Sequence, residues 1–257
     1  MHDVVQYLLG AGSGMLVGFV LALVGGGGSI LAVPLMVYAV GVPNPHVAIG
    51  TSAFAVAVSA ATGLANHARA GTVKWRCALV FAGAGVLGAF VGSTAGKAFD
   101  GQKLLFLFAL VMIVVGVMML RRRASEGDPA AECNRQNAPK VAAFGAFTGA
   151  FSGFFGIGGG FLIVPGLMAS TGMPMINAVG SSLVAVFAFG LATAVNYALS
   201  GLVDWILAFV FIAGGLFGGY AGAIIAKRLS ATRGRLTTIF AVLIFVVAGY
   251  MLWRSAF

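Results

Sequence analysis

Long apolar stretches follow one another along almost the whole chain, separated by short polar turns. Several of them reach the length of about 20 residues that a helix needs to cross the hydrocarbon core of a bilayer. They are Val4–Val24, Val47–Ala68, Ala78–Ala95, Leu104–Leu120, Val179–Leu199, Ile206–Ala226 and Leu236–Trp253. This pattern predicts an all-α polytopic membrane protein.

Composition points to the same class of protein. Of the 257 residues, 60% are hydrophobic and 8% are charged, whereas a soluble domain carries about 25% charged residues. The 39 glycines suit helices that approach one another closely within a membrane. The net charge of +9 is explained by cytoplasmic loops that face anionic lipid, so the lipid bilayer is the expected partner and nucleic acid is not.

A second pattern is an internal repeat. Seven positions recur 131 residues later: Gly25, Gly27, Gly28, Val33, Pro34, Gly41 and Pro43 return as Gly156, Gly158, Gly159, Val164, Pro165, Gly172 and Pro174. Further positions recur at an offset of 130: Gly50, Ser52, Ala55, Val56, Asn66, Gly71, Val73 and Trp75 return as Gly180, Ser182, Ala185, Val186, Asn196, Gly201, Val203 and Trp205. We therefore interpret residues 1–120 and 141–257 as two transmembrane repeats.

The hydrophilic stretch 121–140 joins the repeats and is predicted to be a cytoplasmic linker, because Lys and Arg in short loops stay in the cytoplasm. Arg69, Lys74 and Arg76 surround one loop of the first repeat, whereas its equivalent around Asp204 has no basic residue. The next loop shows the opposite bias, with its larger basic cluster at residues 227–235. Equivalent loops are thus predicted on opposite sides, which makes the repeats inverted.

Inversion requires an odd number of crossings in each half. Each repeat is therefore predicted to hold three transmembrane helices and one glycine-broken segment, which is either re-entrant or a pair of half-helices and adds no net crossing. The breaks are placed at Gly25–Gly28 and Gly156–Gly160.

These breaks are the first candidate substrate site. Each precedes a short apolar helix, and a helix N-terminus offers unpaired N–H groups and a partial positive charge to an anion. The residues expected to bind substrate there are Gly25, Gly26, Gly27, Gly28, Ser29, Gly156, Gly158, Gly159 and Gly160. Close helix packing is the alternative role for such glycines.

Polar residues repeated within the spans are the second set of candidates. They are Thr51, Ser52 and Asn66 in the first half, with Ser181, Ser182 and Asn196 in the second. Hydroxyl and amide groups can bind the oxygens of a carboxylate or sulfonate, and they also form hydrogen bonds between helices. Both roles are left open.

The positions of the acidic residues, His67 and the cysteines disfavour cation transport, catalysis and metal binding. All six acidic residues lie in loops or near span ends, so no carboxylate is placed to neutralise a cation at the bilayer centre. His67 lacks an acidic partner for catalysis, which argues against an enzyme. Cys77 and Cys133 have the spacing of neither a metal site nor a disulfide, and we interpret each as a lone thiol.

The segments LVGGGGSILAVPLMVYAVGVP and GTSAFAVAVSAATGLANH, with their echoes FFGIGGGFLIVPGLMASTGMP and VGSSLVAVFAFGLATAVNY, resemble the TauE/SafE sulfite exporter family, also called the 4-toluene sulfonate uptake permease family. The resemblance covers nearly the whole chain outside the linker. It implies secondary transport of sulfite, sulfoacetate, sulfonates or related small organic anions in a bacterial inner membrane.

Alternating access around the two breaks is the predicted mechanism. No cofactor or metal is expected. Either Na⁺, held by carbonyl and hydroxyl oxygens, or H⁺, carried by a group such as His67, could couple transport. An anion channel and a membrane assembly subunit without its own substrate are the alternatives. Two glycine ladders, Gly85/Gly88/Gly92 and Gly215/Gly218/Gly222, can pack helices within one chain or between two, so a homodimer is left open.

Overall fold

A computed structural model describes residues 4–121, 128, 131, 133–156, 160–228 and 233–256. These residues are helical apart from short turns and loops. In chain order the helices are α1 (Val4–Val24), α2 (Ala32–Pro34), α3 (Pro45–Arg69), α4 (Trp75–Ala98), α5 (Gly101–Arg121), α6 (Ala138–Phe155), α7 (Gly160–Thr171), α8 (Met175–Ala198), α9 (Trp205–Arg228) and α10 (Arg233–Ala256).

Six helices are long and apolar enough to cross a membrane, judged on the part of the chain that the structure describes. They are Val4–Ala22, Pro45–Arg69, Trp75–Ala98, Gly101–Met118, Met175–Ala198 and Trp205–Gly222. Shorter apolar helices cover Gly28–Ala39, Leu162–Thr171 and Val242–Arg254. The predicted all-α polytopic membrane fold is confirmed.

Capping side chains explain where several helices begin. The Asn44 side chain accepts a hydrogen bond from the His46 N–H at the start of α3, and Pro45 occupies the first turn. Asp204 accepts one from the Leu207 N–H at the start of α9. These bonds satisfy N–H groups that a helix leaves unpaired at its first turn.

The two halves exchange helices. Helix α1 of the first half packs mainly on α9 of the second, while α6 of the second half packs mainly on α4 of the first. The first interface places Gly14 against Phe211 and Gly18 against Gly215, so the backbones touch and the two helices run parallel.

The equivalent interface repeats this arrangement. It places Gly149 against Gly85 and Gly153 against Ala89, again between parallel helices. Small residues with this spacing allow close packing without side chains in between. The two glycine ladders therefore pack helices within one chain.

Helices α3 and α8 form the centre of the bundle. Gly63 lies near Leu183, whereas Gly50 lies against Tyr197, so these two equivalent helices run antiparallel. In an inverted repeat, the equivalent helices of the two halves run antiparallel. The side of the membrane on which each end lies stays a prediction.

The first glycine-broken segment folds back against the end of α1. Residues Gly25–Leu31 form a 3₁₀ helix, which α2 and a short π-helix, Leu35–Ala39, continue. Gly28 packs against the backbone of Val20 and Leu21. The segment therefore turns back against the last turns of α1, which is a continuous 21-residue helix and not a half-helix. That the segment adds no net crossing stays a prediction.

Part of the linker is docked at the end of the bundle where α3 finishes. The Asp128 N–H donates to the Gly172 carbonyl at 2.9 Å, and Ala131 is buried. The Cys133 thiol lies close enough to Cys77, at the start of α4, for that residue to raise its pKa. Neither cysteine forms a disulfide, as the interpretation of lone thiols predicted. What the spacing of 56 positions did not show is that folding brings the two thiols close together.

Candidate functional site

A cavity of about 260 Å³ with one polar wall lies between helices α1, α3, α8 and α9. Helix α3 gives it a polar wall of Ser59, Thr62, Asn66 and His67. Because these positions are spaced by about three to four residues, or one helical turn, they share one face of the helix. Thr62 and Asn66 are exposed, whereas Ser59 is buried, so the cavity is reached from the end of α3.

The remaining walls are apolar or made of backbone. Gly18, Leu21 and Ala22 come from α1, Leu183 from α8, and Gly215, Leu216, Gly219 and Tyr220 from α9. A methyl group at Gly215 would lie 2.9 Å from the Ser59 hydroxyl oxygen, so this glycine keeps the floor of the cavity open. Among the described lining residues there is no carboxylate.

His67 is tied to the turn that follows α3. Its Nδ1 lies 2.8 Å from the Thr72 hydroxyl, which donates to the His67 carbonyl at 3.1 Å. The Asn177 amide of α8 donates to the Thr72 carbonyl at 3.0 Å. The imidazole thus joins the α3 turn to the start of α8 while it also lines the cavity, and H⁺ coupling through it stays a prediction.

The equivalent region of the second half is filled. Phe189 replaces Ser59 at the repeat offset, stacks on Phe81 with ring centroids 6.3 Å apart, and packs against Gly85. Tyr197 replaces His67 and is fully buried. The two equivalent regions thus differ: the one at the end of α3 holds an open cavity, and the one at the end of α8 is filled by side chains.

Asn196, one of the predicted site residues, lies in that closed region and is 5% exposed. Its amide nitrogen donates to Ser93 Oγ at 2.6 Å and to Thr94 Oγ1 at 2.9 Å. The Lys97 ammonium donates to Asn196 Oδ1 at 2.8 Å, to its carbonyl at 2.9 Å and to Ser200 Oγ at 2.8 Å. The two asparagines therefore differ, because Asn66 faces the open cavity.

The predicted hydroxyls occupy structural positions that the repeat duplicates. Thr51 Oγ1 accepts from the Asp204 N–H and Ser181 Oγ accepts from the Lys74 N–H, both at 2.9 Å. Each hydroxyl thus satisfies a backbone donor at a helix start in the other half. Ser52 and Ser182 donate to carbonyls three residues earlier, at 3.1 and 2.8 Å. All four are buried. The Thr51 and Ser181 contacts match the interhelical alternative, whereas those of Ser52 and Ser182 stay within one helix.

The first glycine break differs from an open helix N-terminus. Gly25, Gly26, Gly27, Gly28 and Ser29 belong to the 3₁₀ helix, in which N–H groups can pair with carbonyls three residues back. Gly156 ends α6 with a left-handed φ of 68°, which favours glycine. Gly158 and Gly159 lie outside the described residues, and Gly160 begins α7. Substrate binding at the breaks stays a prediction.

Sequence reasoning missed Ser59, Thr62 and Lys97. A position-by-position comparison of the halves could have found Ser59, because the equivalent residue at the offset of 130 is Phe189. The search for identical repeated residues passed over this difference. Lys97 was assigned only to a loop, because its reach across to α8 depends on the exchange of packing between the halves.

The chain is similar to one protein family and to individual proteins of other organisms. Residues 10–251 match the family model described as Sulfite exporter TauE/SafE. A "Probable membrane transporter protein" of Xylella fastidiosa is 55% identical over 247 residues, covering 95% of this chain and 94% of that protein. The "Probable membrane transporter protein YunE" of Bacillus subtilis is 28% identical over 239 residues, with coverage of 84% and 87%.

No solved structure matches the chain. The family match spans nearly all of the described helices, and the relatives are membrane transporters by name in bacteria. With its six membrane-spanning candidates, this chain is a multi-pass membrane transporter that belongs to the TauE/SafE sulfite exporter family.

Proposed function

We propose that the protein is a secondary transporter of small anions, such as sulfite, sulfoacetate, another sulfonate or a related organic anion, and that it works by alternating access. The observation that carries this proposal is the cavity at the end of α3, one wall of which holds four polar side chains. Its volume of about 260 Å³ accommodates an ion of a few heavy atoms together with water.

The chemistry of the cavity suits an oxyanion. Ser59 and Thr62 contribute hydroxyls, Asn66 an amide and His67 an imidazole, and each of these groups can donate hydrogen bonds to oxygen. A carboxylate among the described lining residues would favour a cation instead, and there is none. The side chains therefore favour an anion through hydrogen bonding, without a fixed counter-charge.

The cavity also adjoins the first glycine break. Leu21 and Ala22 line it, while Gly28 packs on the Leu21 backbone from the other side. An anion that enters beside Asn66 would thus approach the break across one turn of α1. This adjacency supports the break as the inner end of the route.

The test is uptake of radiolabelled sulfite and of a C2 sulfonate into proteoliposomes, with and without Na⁺ and pH gradients. We expect saturable flux in the parent protein and its loss, by at least tenfold, in Ser59→Phe, because a phenyl ring placed as at Phe189 would fill the cavity. Ala65→Phe is the matched control, since Ala65 is exposed on the same helix, and it should retain flux.

Other results would point to the alternatives. Flux that does not saturate would indicate a channel. Absence of flux under every gradient, from protein that is folded and inserted, would favour an assembly subunit. Equal flux in Ser59→Phe and Ala65→Phe would contradict the cavity as the route, and the response to the gradients would identify the coupling ion.

A further inference from the structure

Three buried hydroxyl or phenol groups in the second half have no hydrogen-bond partner among the described residues. They are Ser152 on α6 with Thr193 and Tyr197 on α8. Ser152, Thr193 and Tyr197 are each 0% exposed. A buried polar group without a partner costs free energy, so three in one half of a membrane bundle require an explanation.

The repeat relates all three to the open cavity. At the offsets of 131 and 130, Ser152 corresponds to Leu21, Thr193 to Gly63 and Tyr197 to His67. Leu21, Gly63 and His67 all line the open cavity of the first half. Because the helix interfaces of the two halves repeat one another, the three unpartnered groups occupy the equivalent wall at the opposite end of the bundle.

Lys97 closes that end. Its three ammonium donors are directed to Asn196 Oδ1, the Asn196 carbonyl and Ser200 Oγ, and its Nζ lies 5.9 Å from the centre of the Tyr197 ring. The ammonium thus bridges α4 to the end of α8, directly beside one of the three groups.

We propose that Ser152, Thr193 and Tyr197 line a second anion-binding site, at the end of the bundle opposite the open cavity, and that Lys97 bound to Asn196 and Ser200 closes it. The inference rests on the proposed transport function. Separation of α4 from α8 would expose the three O–H donors and free the Lys97 ammonium, whose oxygen acceptors now stand where oxyanion oxygens would bind.

The charge of Lys97 distinguishes an anion from a cation at this site. Hydroxyl oxygens alone could also coordinate Na⁺. An ammonium beside them repels a cation and attracts an anion, and a charge-assisted hydrogen bond to an oxyanion is about twice as strong as a neutral one. The ligand class is therefore a small oxyanion such as a sulfonate.

The closure is tested by thiol labelling, which requires no transport of any substrate. In full-length protein with Cys77→Ala and Cys133→Ser, Thr193→Cys reports on the closed end and Thr62→Cys on the open cavity. Lys97→Met should speed labelling of Thr193→Cys by about tenfold or more, the factor expected from loss of one charge-assisted hydrogen bond. It should also slow labelling of Thr62→Cys, because opening one end closes the other.

Two further variants keep the test decisive. Lys103→Met removes the same charge at the start of α5 and should leave both rates unchanged. Ser200→Ala removes one of the three acceptors at an exposed position, so it should speed labelling of Thr193→Cys even if Lys97→Met fails to fold. Unchanged labelling in folded Lys97→Met or Ser200→Ala would overturn the closure.

The anion preference has its own measurement in the Ser200→Ala background, where Lys97 is retained. Each labelling rate is first divided by the rate at which the same reagent reacts with free mercaptoethanol. After this correction, sulfonatoethyl methanethiosulfonate should label Thr193→Cys faster than its trimethylammonioethyl analogue. Added ethanesulfonate should slow the labelling. A preference for the cationic reagent would overturn the anion site. Because these rates do not depend on flux, failure of this inference and failure of the proposed function are distinguishable.

Discussion

At the scale of single residues, Cys133 shows how the fold changes chemistry that the sequence leaves ordinary. Burial, and then the hydrogen bond and charge of Cys77, raise the pKa of the Cys133 thiol to about 12. The thiolate is the reactive form of cysteine. Cys133 in the linker should therefore react slowly at neutral pH although it is partly exposed.

We expect iodoacetamide to alkylate Cys133 at pH 7.5 at least tenfold more slowly than a free cysteine with a pKa of about 8.5, and the rate to keep rising beyond pH 10. Cys77→Ala should raise the rate at pH 7.5, because it removes the neighbour that disfavours the thiolate. Mass spectrometry of time points measures this. A rate equal to that of free cysteine would show that Cys133 is not docked on α4.

At the scale of elements, glycines decide which helices can touch. On α4, a methyl group at Gly92 would collide with the Ala150 backbone of α6, whereas one at Gly83 meets nothing within 4 Å. The two positions lie on the same helix and differ in what faces them. Composition alone does not tell them apart.

Gly92→Ala should therefore lower the free energy of unfolding by about 1–3 kcal/mol, the usual cost of overpacking. Gly83→Ala should leave it unchanged or raise it by up to about 1 kcal/mol, since alanine favours helix more than glycine does. Thermal unfolding in detergent compares the two. A lower melting temperature for Gly83→Ala than for Gly92→Ala would contradict the α4–α6 interface.

The elements also show how far sequence reasoning reaches. Apolar length predicted α1, α3 and α8 closely, because a membrane fixes how long a spanning helix must be. The broken segment after α1 was predicted as a short helix, but its 3₁₀ and π turns depend on packing against the Val20 and Leu21 backbone. Asn66 was predicted as a site residue from its repetition, and it does line the cavity.

What the sequence did not predict is asymmetry between equivalent positions. Identical residues reveal a repeat, whereas the open cavity exists because Ser59 and Phe189 differ in volume at equivalent places. Asn66 and Asn196 are identical, yet Asn196 binds Lys97 whereas Asn66 lines the open cavity. A search for matching residues cannot detect such differences between the halves.

At the scale of the whole molecule, the directions of α3 and α8 determine where the open cavity and its filled counterpart lie. These helices run antiparallel, and their C-terminal caps are Ala70 and Leu199. The caps therefore lie at opposite ends of the bundle. Basic residues near Ala70 predict that its end faces the cytoplasm.

Single cysteines at these caps test the prediction. In protein lacking Cys77 and Cys133, an impermeant maleimide applied to intact cells should label Leu199→Cys, and Ala70→Cys should react only after the membrane is permeabilised. Labelling of both from the same side would contradict the inverted repeat. Labelling of the two in the reverse order would keep the repeat and reverse its orientation.

The exchange of helices between the halves has a consequence for how the protein is made. Gly18 of α1 meets Gly215 of α9, nearly 200 residues later in the chain. Because translation adds about 5–20 residues per second, α1 is synthesised about 10 to 40 s before its partner helix α9. During that time its glycine face is open to lipid or to a chaperone of membrane insertion. Neither half can complete its packing alone, so assembly finishes only when almost the whole chain has left the ribosome.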